Sequence, residues 1–130
     1  MLREEHMDLF GVNASGVYSV DQAITGNIAG NIIEIDPTIP NWDVYFYCTQ
    51  DATGGTSVAL TVQGANALSG GNLSGAVTVF SKTIALADFK KGLIDKIVLP
   101  KGYRYFKAAT VNTGTFTAGK IAGICVPEFN

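Results

Sequence analysis

Residues 43–63 read DVYFYCTQDATGGTSVALTVQ, two runs of period two separated by a turn. In Asp43 to Cys48, the apolar Val44, Phe46 and Cys48 alternate with Tyr45 and Tyr47. Successive side chains of an extended chain point to opposite faces, so this run predicts a strand with one apolar face and one face of amphipathic aromatics. Asp51 to Gly55 supplies turn residues. In Ser57 to Gln63, Val58, Leu60 and Val62 alternate with Ala59, Thr61 and Gln63, the pattern of a half-buried antiparallel strand.

Outward from this pair the chain keeps the same grammar. Toward the C-terminus, residues 64–76, GANALSGGNLSGA, break the periodicity and predict a long loop. Val77 to Lys82 alternates again, and Ala85 to Lys91 fits one helical turn ended by Gly92, a residue that accepts a left-handed cap. Leu93 to Leu99 predicts a strand halted by Pro100. Lys101-Gly102 is a turn, and Tyr103 to Val111 is a strand holding the aromatics Tyr103, Tyr105 and Phe106. Asn112 to Gly114 is a tight turn, and Thr115 to Val126 completes one or two further strands. Toward the N-terminus, Ile24 to Ile28 and Asn31 to Ile35 are short runs closed by Asp36-Pro37 and Ile39-Pro40, whose prolines withhold ladder donors and mark a corner. Residues 1–16 have the composition of a terminal arm, and residues 17–130 that of one β domain. About eight short strands, with neither a strong helix nor strand–helix alternation, predict an all-β fold, a jelly-roll-like antiparallel sandwich.

A chain of 130 residues is long enough for one buried core. Hydrophobic residues make up 47% of it and charged residues only 15%, against roughly 25% charged in ordinary soluble domains. So little charge cannot cover a fully wetted exterior, which implies that partners cover part of the surface. The net charge of −2 disfavours nucleic acid and anionic membrane as partners. Charge is unevenly distributed along the chain: residues 1–65 hold one basic side chain and eight acids, residues 66–130 eight basic side chains and three acids. If the halves segregate in space, oppositely charged faces favour head-to-tail contacts between copies. The start, MLREEHMDLF, lacks the apolar core of a signal peptide, and no later run reaches membrane-span length, so synthesis and retention in a cytoplasm are expected.

Chemistry is sparse. The single histidine, His6, sits in the arm, a poor base for a nucleophile system. With only His6, Cys48 and Cys125 beside carboxylates, and no CxxC spacing, no zinc site is expected; the two cysteines read as buried free thiols. The carboxylate pairs Glu34/Asp36 and Glu4/Glu5 suit surface charge or turn bonding better than glycoside hydrolysis. Asp51 lacks the spacing of a calcium loop, and Gly70-Gly71 lacks the Lys-Ser/Thr of a phosphate cradle. No catalytic residue, cofactor or metal is expected. Trp42, Tyr45, Tyr47, Tyr103 and Tyr105 are better suited to anchoring a protein interface or packing in the core than to stacking on sugars, and they are taken as interface candidates. Arg104, just after the Pro100–Gly102 turn, can offer a guanidinium to a neighbour's carboxylate, and Arg3 and Phe10 extend the candidate interface into the arm.

Two segments carry a family likeness. YSVDQAITGNIAGNIIEID (residues 18–36) resembles the opening of the jelly-roll capsid cement, or decoration, proteins of tailed phages, the group typified by the Bordetella phage cement protein. IALADFKKGLIDKIVLPKGYRYFKAATVNTGTFTAGKIAGI (residues 84–124) is similar to their closing half, where LP-x-G-x-RY and G-x-F-T-A-G-K recur. The resemblance implies a non-enzymatic homotrimer on the outside of the virion capsid, made in the host bacterium, whose partners are the major capsid protein and itself. It implies no nucleic acid, membrane or cofactor. The charged start MLREEHMDLFGVN and the DVYFYC strand depart from the family pattern.

Overall fold

The alternating residues of 43–63 form the centre of a two-sheet sandwich in the computed structural model, which describes residues 7–10 and 21–128. The strands are β1 (Met7–Asp8), β2 (Asp21–Ala23), β3 (Ile28–Glu34), β4 (Asn41–Gly54), β5 (Ser57–Ala65), β6 (Ala67–Ser69), β7 (Asn72–Ser74), β8 (Val77–Ala85), β9 (Gly92–Val98), β10 (Tyr105–Thr113) and β11 (Phe116–Glu128). One sheet runs β1-β11-β4-β9, with β2 also paired to β11; the other runs β3-β10-β5-β8. The antiparallel pairs β2/β11, β3/β10, β4/β9 and β5/β8 therefore nest inside one another. That nesting involves eight strands and makes the all-β antiparallel sandwich that the alternation predicted; β1, β6 and β7 are short additions.

The parity read from the sequence decides what is inside. Val44, Phe46 and Cys48 of β4 face Val58, Leu60 and Val62 of β5 in one core to which Phe106, Ile121 and Cys125 also belong. Phe46 joins the two layers: its ring centroid lies 6.2 Å from that of Phe10 and 6.2 Å from that of Phe80 on β8. Aromatic rings at such separations add to the stabilisation from burial alone.

Several local expectations change. The turn expected at 51–55 moves along the chain, because β4 continues to Gly54 and only Gly55–Thr56 joins it to β5. The expected long loop at 64–76 contains the hairpin β6/β7, in which Leu68 pairs with Leu73. Its turn residues Gly70 and Gly71 have φ of +59° and +80°, the doubly left-handed conformation that two-residue hairpins need and glycine permits. The helical turn shrinks to a 3-10 turn at Leu86–Asp88. Residues 116–128 form one strand, bent by irregularities between Phe116 and Ile121.

The arm also differs from expectation. Met7 and Asp8 pair with Cys125 and Ile124 of β11. The Leu9 N–H then donates to the Gly123 carbonyl (2.9 Å), and the Leu9 carbonyl accepts from the Asn31 N–H on β3 (2.7 Å). Leu9 and Phe10 are buried. Residues 7–10 are thus a strap tying the first sheet to the β3 edge of the second; the rest of the expected arm lies outside the described residues. On the opposite side, Lys82 of β8 reaches Asp95 of β9 at 3.4 Å. The charge halves do not segregate: nested pairing sets Lys96 beside Asp43 and Arg104 beside Glu34.

Candidate binding surface

On the outward side of β4, Tyr45 is flanked by Ile124 and Lys96, Tyr47 by Ala122 and Leu93, and Asp43 by Val126 and Val98. Leu93 and Val98 are 56% and 55% exposed. The tyrosine rings lie parallel, 15° apart in plane and 6.4 Å between centroids, and the Lys96 ammonium sits 5.6 Å from the Tyr45 centroid. Alternation produces this face along β4, and an irregularity of β9 opposite Phe46 and Tyr47 brings Leu93 to the same side as Lys96 and Val98.

Its charges are largely neutralised internally. Asp43 is only 4% exposed, and its carboxylate lies 3.8 Å from the Lys96 ammonium. The Glu128 carboxyl hydrogen-bonds to Asp43; that bond, the Asp43 charge and desolvation hold it above the usual carboxylate range, with Lys96 opposing. Because the folded state favours protonated Glu128, its contribution to stability is full below the ordinary carboxylate range and is lost as pH rises through the raised value. Glu128→Gln keeps a donor to Asp43 without the titration. Its melting temperature should equal that of the wild type near pH 4 and exceed it near pH 7, measured as melts across that range; equal values at both ends would disprove the coupling.

At one end of the sandwich, Ile35, Pro37, Ile39, Pro40, Leu99 and Tyr103 line a pocket of about 140 Å³. Ligand sites usually hold roughly 300 Å³ or more, so this one has room for a single side chain. Beside it, the Arg104 Nε–H donates to Glu34 at 2.6 Å, in the open. The Asp36 carboxylate accepts the Thr38 hydroxyl (2.7 Å) and N–H (2.9 Å), which lower its pKa.

The residues singled out as interface candidates separate accordingly. Tyr45 and Tyr47 are brought together on the first sheet. Tyr103, Arg104 and Tyr105 cluster elsewhere, with Tyr103 edge-on to Phe106 and Arg104 over the Tyr105 ring at 5.8 Å. Two expectations are corrected. Phe10 is 3% and Trp42 5% exposed, so both are core residues; the Trp42 indole N–H is spent on the Asp36 carbonyl at 3.1 Å. Arg104 already holds a carboxylate, that of Glu34 in its own chain. Arg3 lies outside the described residues. Sequence reading missed Leu93 and Val98, although apolar residues on both faces of one strand were the available signal.

Cys48 and Cys125 are free and buried, as expected. The Cys48 thiol donates to the Gln50 carbonyl at 3.0 Å, and burial with the nearby Asp43 charge pushes Cys125 up to about 12. Burial pushes the Cys48 thiol up as well, so both thiols stay protonated near neutral pH. Among the described residues no three His, Cys, Asp or Glu side chains gather around a possible ion position.

No protein-family model matches this chain, and no curated protein does. The surface must therefore be interpreted from its own chemistry.

Proposed function

We propose that this chain is a non-enzymatic capsid cement protein of a tailed phage, bound to the outer surface of the shell as a trimer and stabilising contacts between major capsid protein subunits. The observation that carries the reading is the outward face of the first sheet. There a pair of tyrosines is framed by Leu93, Val98, Ile124 and Val126, and the few charges are paired with one another. Such a face suits a covered surface better than a wetted one. A cement protein needs many modest contacts rather than one tight pocket, since several linked attachments multiply avidity without any strong single site. The nested sandwich and the likeness of residues 18–36 and 84–124 to the cement proteins support the same reading.

The second reading, a carbohydrate- or receptor-binding module of a phage tail or fibre, draws on the tyrosine pair as a stacking platform. Two features weigh against it: Trp42 is buried, and the Tyr45 ring already has the Lys96 ammonium and the Tyr47 ring beside it. Sugar stacking needs an open aromatic face.

The test is co-sedimentation with assembled capsids of the phage that encodes the chain, together with the mass of the free protein. Wild type should bind, and the Leu93→Asp/Val98→Asp double variant should bind at least tenfold more weakly while melting normally, since charges introduced into a desolvated contact are costly. A wild-type chain that fails to sediment with capsids refutes the proposal.

A further inference from the structure

A lone two-stranded hairpin is marginal in water and needs a third strand or a packing surface to hold its shape. The β6/β7 hairpin belongs to neither sheet of the sandwich. Of residues 66–78 only Leu73 is half-buried and the others are exposed; Leu68, which pairs with Leu73, keeps 45% of its surface open. Charge does not compensate, since residues 52–81 contain no Asp, Glu, Lys or Arg. The hairpin is an apolar knob on an uncharged stem.

A hole of matching size and chemistry lies at the same end of the molecule. Asn66, at the base of the hairpin, donates through Nδ2 to the Gly102 carbonyl (2.8 Å), and the Arg104 N–H donates to the Ala65 carbonyl (3.1 Å). Gly102 in turn lines the pocket of about 140 Å³ that has room for a single side chain. Among the described residues that line it, Lys101 alone is charged, and the chain's own Leu68 is not one of them. Its exposed Pro37, Pro40 and Pro100 have no N–H, so an apolar side chain can cover them without stranding a donor.

We infer that Leu68 of the β6/β7 hairpin inserts into the pocket beside Ile39, Pro40 and Tyr103 of the next copy, so that three copies close a ring. The number of copies rests on the trimer of the cement reading; the fit of knob to hole does not. Joining two different patches is a heterologous contact, which closes into a ring when the rotation between neighbours permits. Knob and hole stand side by side at one end, so each copy can give its hairpin to one neighbour and receive that of the other. Burial of the leucine drives the contact. No hairpin or pocket residue belongs to the tyrosine face of the first sheet, which keeps its own surface for the shell.

Leu68→Asp tests the knob. Wild type should sediment as three copies and the variant with one third of that mass, because an aspartate in an apolar pocket has no partner. Circular dichroism of the variant should match wild type, since Leu68 is exposed in the single chain. Cross-linking tests the pairing: Leu68→Cys co-expressed with Pro40→Cys should be joined by a short bismaleimide into dimers on a denaturing gel, whereas either variant alone should not. The native Cys48 and Cys125 are buried and do not react. A wild type of one or two copies, a Leu68→Asp protein of undiminished mass, or a mixture that does not cross-link overturns the inference. A trimer that binds capsids but ignores Leu68→Asp would sink the inference alone; a trimer that responds at Leu68 as expected yet ignores capsids would sink only the cement reading.

Discussion

Gly30→Ala should detach the N-terminal strap and cost the fold roughly 3–6 kcal/mol, the burial lost with two large apolar side chains. Gly30 lies on β3 where the strap crosses it, and a Cβ there would stand 2.5 Å from both the Leu9 and the Ala108 carbonyl oxygens. Both are main-chain atoms, so no side-chain rotation relieves the clash. Ala108 belongs to β10, bonded on both sides by β3 and β5, and cannot retreat without breaking two ladders. The strap is held by less, so it should give way first. Its departure removes the Asn31 N–H bond to Leu9 and the Asn31 side-chain bond to the Asp8 carbonyl (3.1 Å). It also exposes Leu9 and Phe10, each worth roughly 1.5–3 kcal/mol when buried. Urea unfolding would read the loss, and amide exchange would locate it, with the Leu9 and Asn31 amides losing protection before the β4 and β5 amides. A variant of wild-type stability with both amides still protected contradicts this account of the strap.

The strap was the part of the fold least legible in the sequence, for a physical reason. Period-two alternation reports which residues share a face, and it needs four or more residues to do so. Asp43–Cys48 and Ser57–Gln63 satisfy that requirement, and the strands stand where the pattern puts them. Met7–Phe10 is too short, and its one acid, Asp8, following Glu4 and Glu5 resembles part of a solvated arm, although the apolar pair Leu9-Phe10 was a sign of docking. Trp42 shows a different failure: it shares the parity of Val44, Phe46 and Cys48, so its burial was readable, but residue type drew attention toward an interface. The hairpin inside 64–76 was concealed because Gly-rich composition signals a turn without saying whether short strands flank it. The mixing of charge followed from nested pairing, a long-range property: Asp43 meets Val98, and Glu34 meets Tyr105, and no local pattern encodes which distant strands become neighbours. Of the candidate surface, Tyr45 and Tyr47 were legible from alternation, whereas Leu93 and Val98 required knowing that β9 lies beside β4.

Asp8→Val should stabilise the isolated protein by about 1–3 kcal/mol, the penalty of an unsatisfied buried polar group. Asp8 is 5% exposed, and neither carboxylate oxygen has a hydrogen-bond partner among the described residues. Its main chain is fixed by pairing with Ile124 and by the Asn31 bond, so the side chain cannot swing out to water without loosening the strap. A buried carboxylate in that position opposes folding, and valine replaces it with a β-branched side chain suited to a strand. Asp8→Asn should gain less, because an amide in the same place still lacks partners. Chemical unfolding near neutral pH would rank the three proteins valine, asparagine, aspartate. A loss of stability in Asp8→Val would mean that the carboxylate contributes favourably to the isolated fold, and the strap would then have to be reinterpreted. The same variants connect the strap to function. A chain that tolerates a destabilising acid at its docking strap holds that strap less firmly than it could. If the chain is the capsid cement protein proposed above and attaches through a releasable strap, the more stable Asp8→Val protein should be retained less well by capsids than wild type, whereas unchanged retention would confine the role of Asp8 to folding.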